Sequence, residues 1–386
     1  MLAIDVVSET YPPEVNGVAM TVGRLVDGLR SRGHAVSVLR PRQHAGDRGT
    51  PEDIFFSGIP LPGYPGLRLG LPAGGRLRNR LREHRPTVFY AVPTLYVHVV
   101  TEGPLGWSAV NCARSLGIPV TSGFHTNFDH YSTYYGLGWL RPLVAAYLRR
   151  LHRRTRATLV PTSALAKTLT GAGIPGVRVV GRGVDTDLFD PQKRSDRLRA
   201  TWGADSQSVV YLYVGRMAPE KNLGLVCRCI EGLGNDARMV WVGDGPAREG
   251  LSRMNGHHIF AGVRRGEELA EYYASADVFL FPSLTETYGN VVAEAMASGL
   301  AVVAYKTAAA AELISPGTNG LLVPPGEESA FKAAAIMLAT NSGLRQRMGR
   351  DARTAVMPRN WDAAVDQFEA VIRQAICADR WAAELA

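Results

Sequence analysis

Two glutamates, Glu286 and Glu294, stand eight positions apart in the C-terminal half of the chain. Glu286 falls on the loop after an apolar strand, Val278–Phe281, and Glu294 falls about one turn inside the helix that Asn290 is predicted to cap. Because a carboxylate accepts two hydrogen bonds, the pair suits the hydroxyls of a sugar or a ribose, and the backbone N–H groups at the helix start suit phosphate. Taken singly, each glutamate is equally well explained as solvated surface charge.

Two cations and a glycine follow another buried strand, Val209–Val214. Gly215 allows a ligand to approach the backbone closely. Arg216 and Lys221 can both reach a diphosphate and neutralise the charge that builds as it leaves. The alternative is an ordinary strand-to-helix turn with two exposed cations.

Polar residues also follow strands in the first half of the chain. Gly17 begins the first helix, where its N–H can contact phosphate, although a plain turn explains it equally well. His125 comes directly after the strand Val120–Phe124, and it can hydrogen-bond a sugar or polarise the reacting centre. Asp129, with Asn127 beside it, can orient an acceptor. A histidine with a purely structural role is the alternative.

Nicotinamide and metal chemistry are disfavoured by spacing. The run Gly243–Gly245 begins like a dinucleotide fingerprint, but Arg248 stands where the third glycine belongs and Pro246 fills the turn. The histidine pairs lack the spacing and partners of a metal site, and the first half has no paired aspartates at a strand end. We therefore expect no metal ion and no cofactor.

The elements that must position these residues alternate between strand and helix through 386 residues, of which 46% are apolar and 20% charged. Strands that are apolar throughout predict parallel sheets covered on both faces. We expect an α/β fold of two Rossmann-like, doubly wound domains facing across a deep cleft. The predicted domains are residues 1–188 and 189–360, with the helical segment 361–386 packing back on the first. The predicted strands are Leu2–Val7, Ala35–Leu39, Val88–Val92, Val120–Phe124, Leu159–Pro161 and Val177–Val180, then Val209–Val214, Arg238–Val242, Ile259–Ala261, Val278–Phe281 and Ala301–Ala304.

The net charge of +8 is concentrated in residues 1–190, which hold 22 basic and 13 acidic residues. Within them, the segment Leu137–Arg156 mixes apolar residues with arginines and predicts a basic amphipathic helix. Such helices bind anionic membrane surfaces, although a helix that packs on the sheet and exposes a basic face fits equally well. The residues predicted to meet the membrane are Trp139, Arg149, Arg150, Arg153 and Arg154. We expect a cytoplasmic protein, peripheral on the inner face of the membrane, and no nucleic-acid partner.

Taken together, the motifs resemble the GT-B retaining glycosyltransferases of glycosyltransferase family 4. The resemblance covers nearly the full chain. Its motifs are Asn16-Gly17-Val18, Gly215-Arg216 with Lys221, Gly243–Pro246 and the Glu286–Glu294 spacing. The segments Ser8–Gly17, Phe124–Phe128 and Tyr134–Leu137 are most similar to a subgroup of GDP-mannose-dependent α-mannosyltransferases and bacterial glycosyl or sulfoquinovosyl diacylglycerol synthases.

The resemblance implies a role for each matching position. Glu294 would bind the ribose hydroxyls and Glu286 the hydroxyls of the donor sugar. Arg216 and Lys221 would hold the diphosphate with help from Gly17, and His125 would lie beside the reacting carbon. Four positions would lie near the sugar and phosphate: Tyr288, Gly289, Asn290 and Val291. Three would lie near the nucleotide base: Gly262, Val263 and Arg264.

The family also implies a hexose donor, GDP-mannose or a UDP-hexose, and a lipid or lipid-linked acceptor. The acceptor would attack from the side of the leaving group, whose phosphate would take the acceptor's proton. Two positions depart from the family pattern: Tyr288 stands where Phe is common, and Arg182 stands where many relatives have Asn. Two alternatives remain, a nucleotide-sugar 2-epimerase of the same architecture and a non-catalytic protein that binds nucleotide sugars.

Overall fold

The computed structural model describes residues 1–14, 16–44, 46–61, 68–83, 94–125, 141–231, 233 and 237–384. The chain forms two compact units, the first made of Met1–Arg182 and Trp361–Ala386 and the second of Gly183–Asn360. The division expected after residue 188 therefore lies inside the second unit.

The first unit is built on a seven-stranded parallel sheet in the order β3-β2-β1-β6-β7-β8-β9, with a separate antiparallel hairpin, β4-β5. Its strands are β1 Leu2–Val7, β2 Ala35–Pro41, β3 Asp53–Phe56, β4 Gly58–Pro60, β5 Arg68–Gly70, β6 Thr94–Val99, β7 Val120–Gly123, β8 Thr158–Val160 and β9 Val177–Val179. Its first helices are α1 Gly17–Ser31, α2 Gly74–Glu83, α3 Pro104–Ser115, α4 Arg141–His152 and α5 Ser163–Gly171.

Strand β1 is an interior strand of this sheet, between β2 and β6, and its residues are apolar except for Asp5. Ile4 pairs in register with Val36 on one side and Tyr96 on the other, and all three side chains are buried. The strand order reverses between β1 and β6, which makes that pair the topological switch point of the sheet. The predicted strand Val88–Val92 lies outside the described residues, and the sequence reading missed β6.

The second unit contains a six-stranded parallel sheet in the order β12-β11-β10-β13-β14-β15. Its strands are β10 Val209–Val214, β11 Ala237–Val242, β12 Ile259–Gly262, β13 Val278–Phe281, β14 Ala301–Tyr305 and β15 Leu321–Val323. Its helices are α6 Asp196–Thr201, α7 Leu223–Ile230, α8 Arg248–Met254, α9 Gly266–Ser275, α10 Asn290–Ala297, α11 Ala308–Leu313, α12 Glu328–Thr340 and α13 Ser342–Val356. All residues of β10 and β13 are buried, and the switch point falls between these two strands.

The last helix, α14 Trp361–Glu384, belongs to the first unit and packs on α1. A Cβ on Gly28 of α1 would lie 2.5 Å from Val365 Cγ2, so the glycine permits the close contact. Arg32 bonds Asp366 at 2.6 Å and Glu369 at 3.2 Å across the same interface. The expected return of the C-terminal segment is thus seen in the contacts. Among the helices that the structure describes, none is long and apolar enough to cross a membrane.

Candidate functional site

The switch point of the second sheet brings together residues that are far apart in sequence. In open parallel sheets, ligands bind beyond the carboxyl ends of the strands at such a point. Here the loop after β10 meets the loop after β13, where the backbone N–H of Leu284 donates to the carbonyl of Glu220 at 3.2 Å. Lys221 Nζ donates to Glu286 Oε1 in a largely buried ion pair. Two residues singled out from the sequence are therefore direct partners.

A short 3₁₀ turn, Pro219–Lys221, aims Lys221 inward. The turn ends at Asn222, whose φ of 52° reverses the backbone. Glu220 is 1% exposed, and its Oε2 has no hydrogen-bond partner within the described part of the chain. Sequence reasoning missed Glu220, although an acidic residue next to a predicted phosphate-binding lysine was a usable signal. Arg216 lies half-buried on the same loop.

Glycines allow the loops after β10, β11 and β12 to pack closely, with backbone against backbone. A Cβ on Gly243 would lie 2.0 Å from the carbonyl oxygen of Gly215, and one on Gly245 would lie 2.4 Å from that of Met217. Backbone hydrogen bonds join Met217 to Asp244 at 2.8 Å and Gly243 to Gly262 at 2.8 Å. The glycines that begin like a dinucleotide fingerprint therefore serve to pack these loops together. Gly215, at φ 147°, takes part in the same packing.

Helix α10 begins differently from the prediction. Its N-cap is Gly289, in the left-handed region at φ 89°, and Asn290 is the first helical residue, so the predicted capping role of Asn290 is wrong. No side chain of the described residues caps this helix. Its first N–H groups, including that of half-buried Val291, thus have no capping side chain to compete with a bound anion.

Glu286 lies beside this helix start. Its Cγ is 3.8 Å from the position that a Cβ on Gly289 would take. Tyr288, which precedes Gly289, is 3% exposed, and its carbonyl accepts a hydrogen bond from the backbone N–H of Ala309 at 2.8 Å. A carboxylate, a lysine and a helix N-terminus therefore meet at one place.

Glu294 points toward the interior of the second unit. It is 9% exposed, and its Oε2 accepts a 2.9 Å hydrogen bond from the hydroxyl of Tyr273 on α9. Burial raises the pKa of Glu294 to about 7, while the Tyr273 hydrogen bond acts in the opposite direction. Burial and the charge of Glu294 raise the pKa of Tyr273 well above its ordinary value. A carboxyl group near its pKa can both donate to and accept from a ligand hydroxyl.

The predicted base-binding residues follow β12, at the edge of the sheet. Gly262 has a φ of 74°, and Val263 is 47% exposed. Arg264 is held by Glu268 at 3.2 Å and lies 5.6 Å from the ring centre of Tyr272. Strand β12 is three strand spacings from β13, which is about 14 Å at the usual interstrand distance. Only an extended ligand can contact the residues after β12 and those after β13 at the same time.

In the first unit, His125 lies after β7 and lines a cavity with Arg182 and Phe368. Its buried Nδ1 has no hydrogen-bond partner among the described residues. Burial lowers the pKa of His125 well below its ordinary value, and the charges of Arg182, His98 and His152 lower it further. Asn127, Asp129 and Trp139 lie outside the described residues, so the structure does not test whether they accompany His125.

The start of α1 is capped. Asn16 Oδ1 accepts from the N–H groups of Val18 at 3.1 Å and Ala19 at 2.8 Å. Asn16 Nδ2 donates at 2.7 Å to the hydroxyl of Thr10, which donates to Glu14. Fewer N–H groups therefore remain for a phosphate than at α10, and the contact assigned to Gly17 stays a prediction.

Helix α4 has a packed side and an exposed basic side, and membrane binding by the exposed side stays a prediction. Leu148 and Leu151 are buried, whereas Leu143 is 66% exposed. Arg149, Arg150 and Arg153 are exposed. Arg154, which follows the helix, bonds Asn111 Oδ1 at 2.5 Å. Arg154 and Arg150 lie 5.4 and 5.9 Å from the ring centre of Trp107 on α3. One side of the helix therefore packs and the other presents arginines to solvent.

Comparison with known proteins gives consistent matches over both units. A family model described as Glycosyltransferase Family 4 matches residues 15–188, and one described as Glycosyl transferases group 1 matches residues 208–341. A GDP-mannose-dependent alpha-mannosyltransferase of Mycolicibacterium smegmatis is 35% identical over 384 residues, covering 96% of this chain and 98% of the relative. Sulfoquinovosyl transferase SQD2 of Arabidopsis thaliana is 30% identical over 379 residues, covering 93% of this chain and 71% of the relative. The solved structure of sucrose-phosphate synthase from Thermosynechococcus elongatus has a TM-score of 0.78 at 20% identity, covering 98% of this chain and all of that one, which shows a shared fold.

Proposed function

Since this chain belongs to the GT-B glycosyltransferases, with a family 4 domain followed by a group 1 domain, we propose that it transfers a hexose from a nucleotide-sugar donor to a lipid or lipid-linked acceptor, with retention of the anomeric configuration. The observation that carries the proposal is the Lys221–Glu286 pair beside the start of α10. GDP-mannose is the first donor to test, because the names of three relatives specify it. A UDP-hexose is the second.

The donor's charged part is assigned to the switch point of the second sheet. Lys221 and Arg216 neutralise the diphosphate, and the N–H groups at the start of α10 add hydrogen bonds. Glu286 accepts from the hydroxyls of the sugar while it holds Lys221 in place. Glu294 binds the ribose, and the residues after β12 bind the base.

In the proposed reaction, the acceptor hydroxyl attacks the anomeric carbon from the face that the diphosphate leaves. The bond between that carbon and the phosphate oxygen breaks, and the departing phosphate takes the acceptor's proton. The charge that develops on the phosphate is met by Lys221, which Glu286 holds in position, and by Arg216 on the same loop, which is the arrangement expected for electrostatic stabilisation. The proposal therefore includes no metal ion.

The reaction is tested by incubating the purified chain with each donor and with vesicles that contain diacylglycerol or a glycosyl diacylglycerol. Release of nucleoside diphosphate together with an α-linked glycolipid would support the proposal, and activity should survive EDTA. A β-linked product would contradict retention. Isomerised donor in the absence of acceptor would favour the epimerase, and tight binding without turnover would favour a non-catalytic protein.

A membrane location is the second part of the proposal, and it rests on the exposed side of α4. Cations near an anionic surface contribute about 1 kcal/mol each. Changing Arg149 and Arg153 to Glu should abolish sedimentation with phosphatidylglycerol vesicles, while transfer to a soluble acceptor analogue remains. The matched control changes Arg347 and Arg350, two exposed arginines on α13, to Glu. Equal loss in both variants would show an effect of net charge alone and would contradict a specific surface on α4.

A further inference from the structure

Different helices cover the two faces of the first sheet. On β6, the buried side chain of Tyr96 packs with α1 and α14, whereas its neighbours Leu95 and Val97 pack with α2, α3 and α4. Leu77 of α2 and Leu151 of α4 belong to the same cluster of buried side chains as α3. Helices α2, α3 and α4 therefore form one layer, and α1 and α14 form the layer on the opposite face.

Helix α3 lies between the other two helices of its layer. Arg80 of α2 donates to Asp5 on β1 at 2.8 Å, and His152 of α4 hydrogen-bonds Ser122 on β7 at 2.8 Å. Strand β6, which leads into α3, lies between β1 and β7. Packed helices lie about 8–10 Å from axis to axis, so the axes of α2 and α4 are two such spacings, about 20 Å, apart.

The layer of α2, α3 and α4 is strongly basic, whereas the opposite layer is not. Helices α2, α3 and α4 contain eight arginines and one acidic residue, Glu83, and α1 and α14 contain four arginines and six acidic residues. The first layer thus has a net charge of +7 and the second a net charge of −2. Arg78 and Arg82 on α2, Arg114 on α3 and Arg149 on α4 are all exposed.

Exposed apolar side chains in the same layer favour a lipid surface as its partner. On α4, Leu143 is 66% exposed and Tyr147 is 38% exposed. Leu71, which is 39% exposed, lies three residues before the start of α2. Arginines interleaved with exposed apolar groups suit a bilayer, whose headgroups meet the cations and whose acyl chains meet the apolar side chains. The phosphates of a nucleic acid would account for the arginines but not for the leucines.

We propose that the whole layer of α2, α3 and α4, and not α4 alone, is the contact surface for an anionic bilayer, with Arg78 and Arg82 as a second contact. The inference rests on the proposed membrane location and adds residues outside α4. The separation of about 20 Å exceeds the screening length of roughly 8 Å at physiological salt, so the contacts on α2 and α4 act independently. Two separate contacts also fix the orientation of the first unit, with α1 and α14 facing away from the bilayer.

The contact on α2 can be removed without disturbing the packing of the helix. Arg78 and Arg82 are exposed, whereas Arg80 between them bonds Asp5 and is left in place. The full chain carrying Arg78→Gln and Arg82→Gln is sedimented with vesicles of phosphatidylglycerol and phosphatidylcholine at physiological salt. Each arginine near an anionic surface contributes about fivefold to the affinity, so the partition coefficient should fall by roughly 30-fold. Combining this pair with Arg149→Gln and Arg153→Gln should multiply the two losses.

The matched control removes the same charge from the opposite layer of the same unit. Arg24→Gln on α1 and Arg373→Gln on α14 replace two exposed arginines, and this variant should bind within about threefold of wild type. Equal losses in the two variants would show an effect of net charge alone and would overturn the inference. So would a loss of less than about threefold in the α2 variant while the α4 variant no longer sediments, because α4 would then suffice.

The same measurement separates this inference from the proposed function. A wild-type chain that does not sediment with anionic vesicles would contradict the proposed membrane location, and the inference with it. Tighter binding to duplex DNA than to the vesicles would contradict a lipid partner for this layer. Vesicle binding needs no donor or acceptor, so the absence of sugar transfer would contradict the proposed reaction without changing the result for α2.

Discussion

The switch points of the two sheets have the same topology but bury different charged groups. At the first, between β1 and β6, the carboxylates of Glu9 and Glu102 are buried, burial raises the pKa of Glu9 to about 7, and the adjacent helix is capped. At the second, between β10 and β13, Lys221 is buried and the adjacent helix has no capping side chain among the described residues. The proposed diphosphate site is therefore assigned to the second switch point, where Lys221 and the uncapped helix start lie together.

The total charge of each half does not indicate which groups are buried at its switch point. Residues 1–190 hold nine more basic than acidic residues, whereas residues 191–386 hold 21 basic and 22 acidic residues. Net charge acts over the whole surface and attracts anionic partners to it, but the few groups buried at a strand end decide which ligand is desolvated there. Charge counting alone therefore favours the first half for the proposed membrane contact and gives no sign of the proposed phosphate site in the second half.

The largest effect is expected from removing the buried cation. Lys221→Ala deletes the proposed partner of the diphosphate and leaves Glu286 buried without its ion-pair partner, so kcat/KM should fall by about 100- to 1,000-fold. Steady-state kinetics with GDP-mannose measures the loss. Lys167→Ala, at an exposed lysine of α5, should leave the rate unchanged. A fall of less than fivefold in Lys221→Ala would remove the main support for a phosphate site at the second switch point.

Glu294 should make the second unit less stable as the pH rises. Below pH 4.5 the carboxyl is protonated whether the chain is folded or unfolded. Between that pH and about 7 the unfolded chain loses the proton first, so the folded state loses up to about 3 kcal/mol. Glu294→Gln should therefore flatten the pH dependence of hydrogen-exchange protection in β10 and β13 between pH 5 and pH 8.

Glu249→Gln is the control for this prediction, because Glu249 is exposed on α8 and its charge is screened by water. Its protection factors should follow the wild-type pH dependence. If Glu294→Gln also follows the wild type, the carboxyl is ionised in the folded chain and cannot donate to a ribose hydroxyl near neutral pH.

The sequence predicted β10 and β13 to the residue, and β11 and β12 to within one residue, but not the contacts of the site. Continuous apolar runs define β10 and β13 because both faces of a parallel sheet are covered. The Lys221–Glu286 pair joins positions 65 residues apart, which only the strand order brings together. The cap of α10 was misassigned because Asn290 is a good capping residue by type, whereas the left-handed backbone at Gly289 follows from packing against Phe281. Tyr273, the partner of Glu294, carries no local signal at all.

The start of α10 can be altered with a closely matched control. Gly289 and Gly326 both have a φ of 89°, but a Cβ on Gly289 would lie 3.2 Å from the Phe281 ring, whereas one on Gly326 meets nothing within 4 Å. Alanine at either position should cost about 1 kcal/mol through the left-handed backbone. Only Gly289→Ala should also weaken GDP binding, by roughly tenfold, as measured by titration calorimetry. Equal affinities in the two variants would show that the helix start does not contact the nucleotide.

The smallest effect is expected at α1, the capped helix of the first unit. It tests whether the cap accounts for the difference between α1 and α10. Asn16→Ala removes the side chain that accepts from Val18 and Ala19, so the free energy of unfolding should fall by about 1 kcal/mol. Asn341→Ala, which removes the cap of α13 in the second unit, should cost a similar amount. GDP affinity should stay within about twofold of wild type in both variants, because neither cap is among the groups proposed to hold the diphosphate. A clear gain in GDP affinity on uncapping α1 alone would mean that its N–H groups can bind phosphate once Asn16 releases them. The phosphate contact predicted for Gly17 would then become the better explanation.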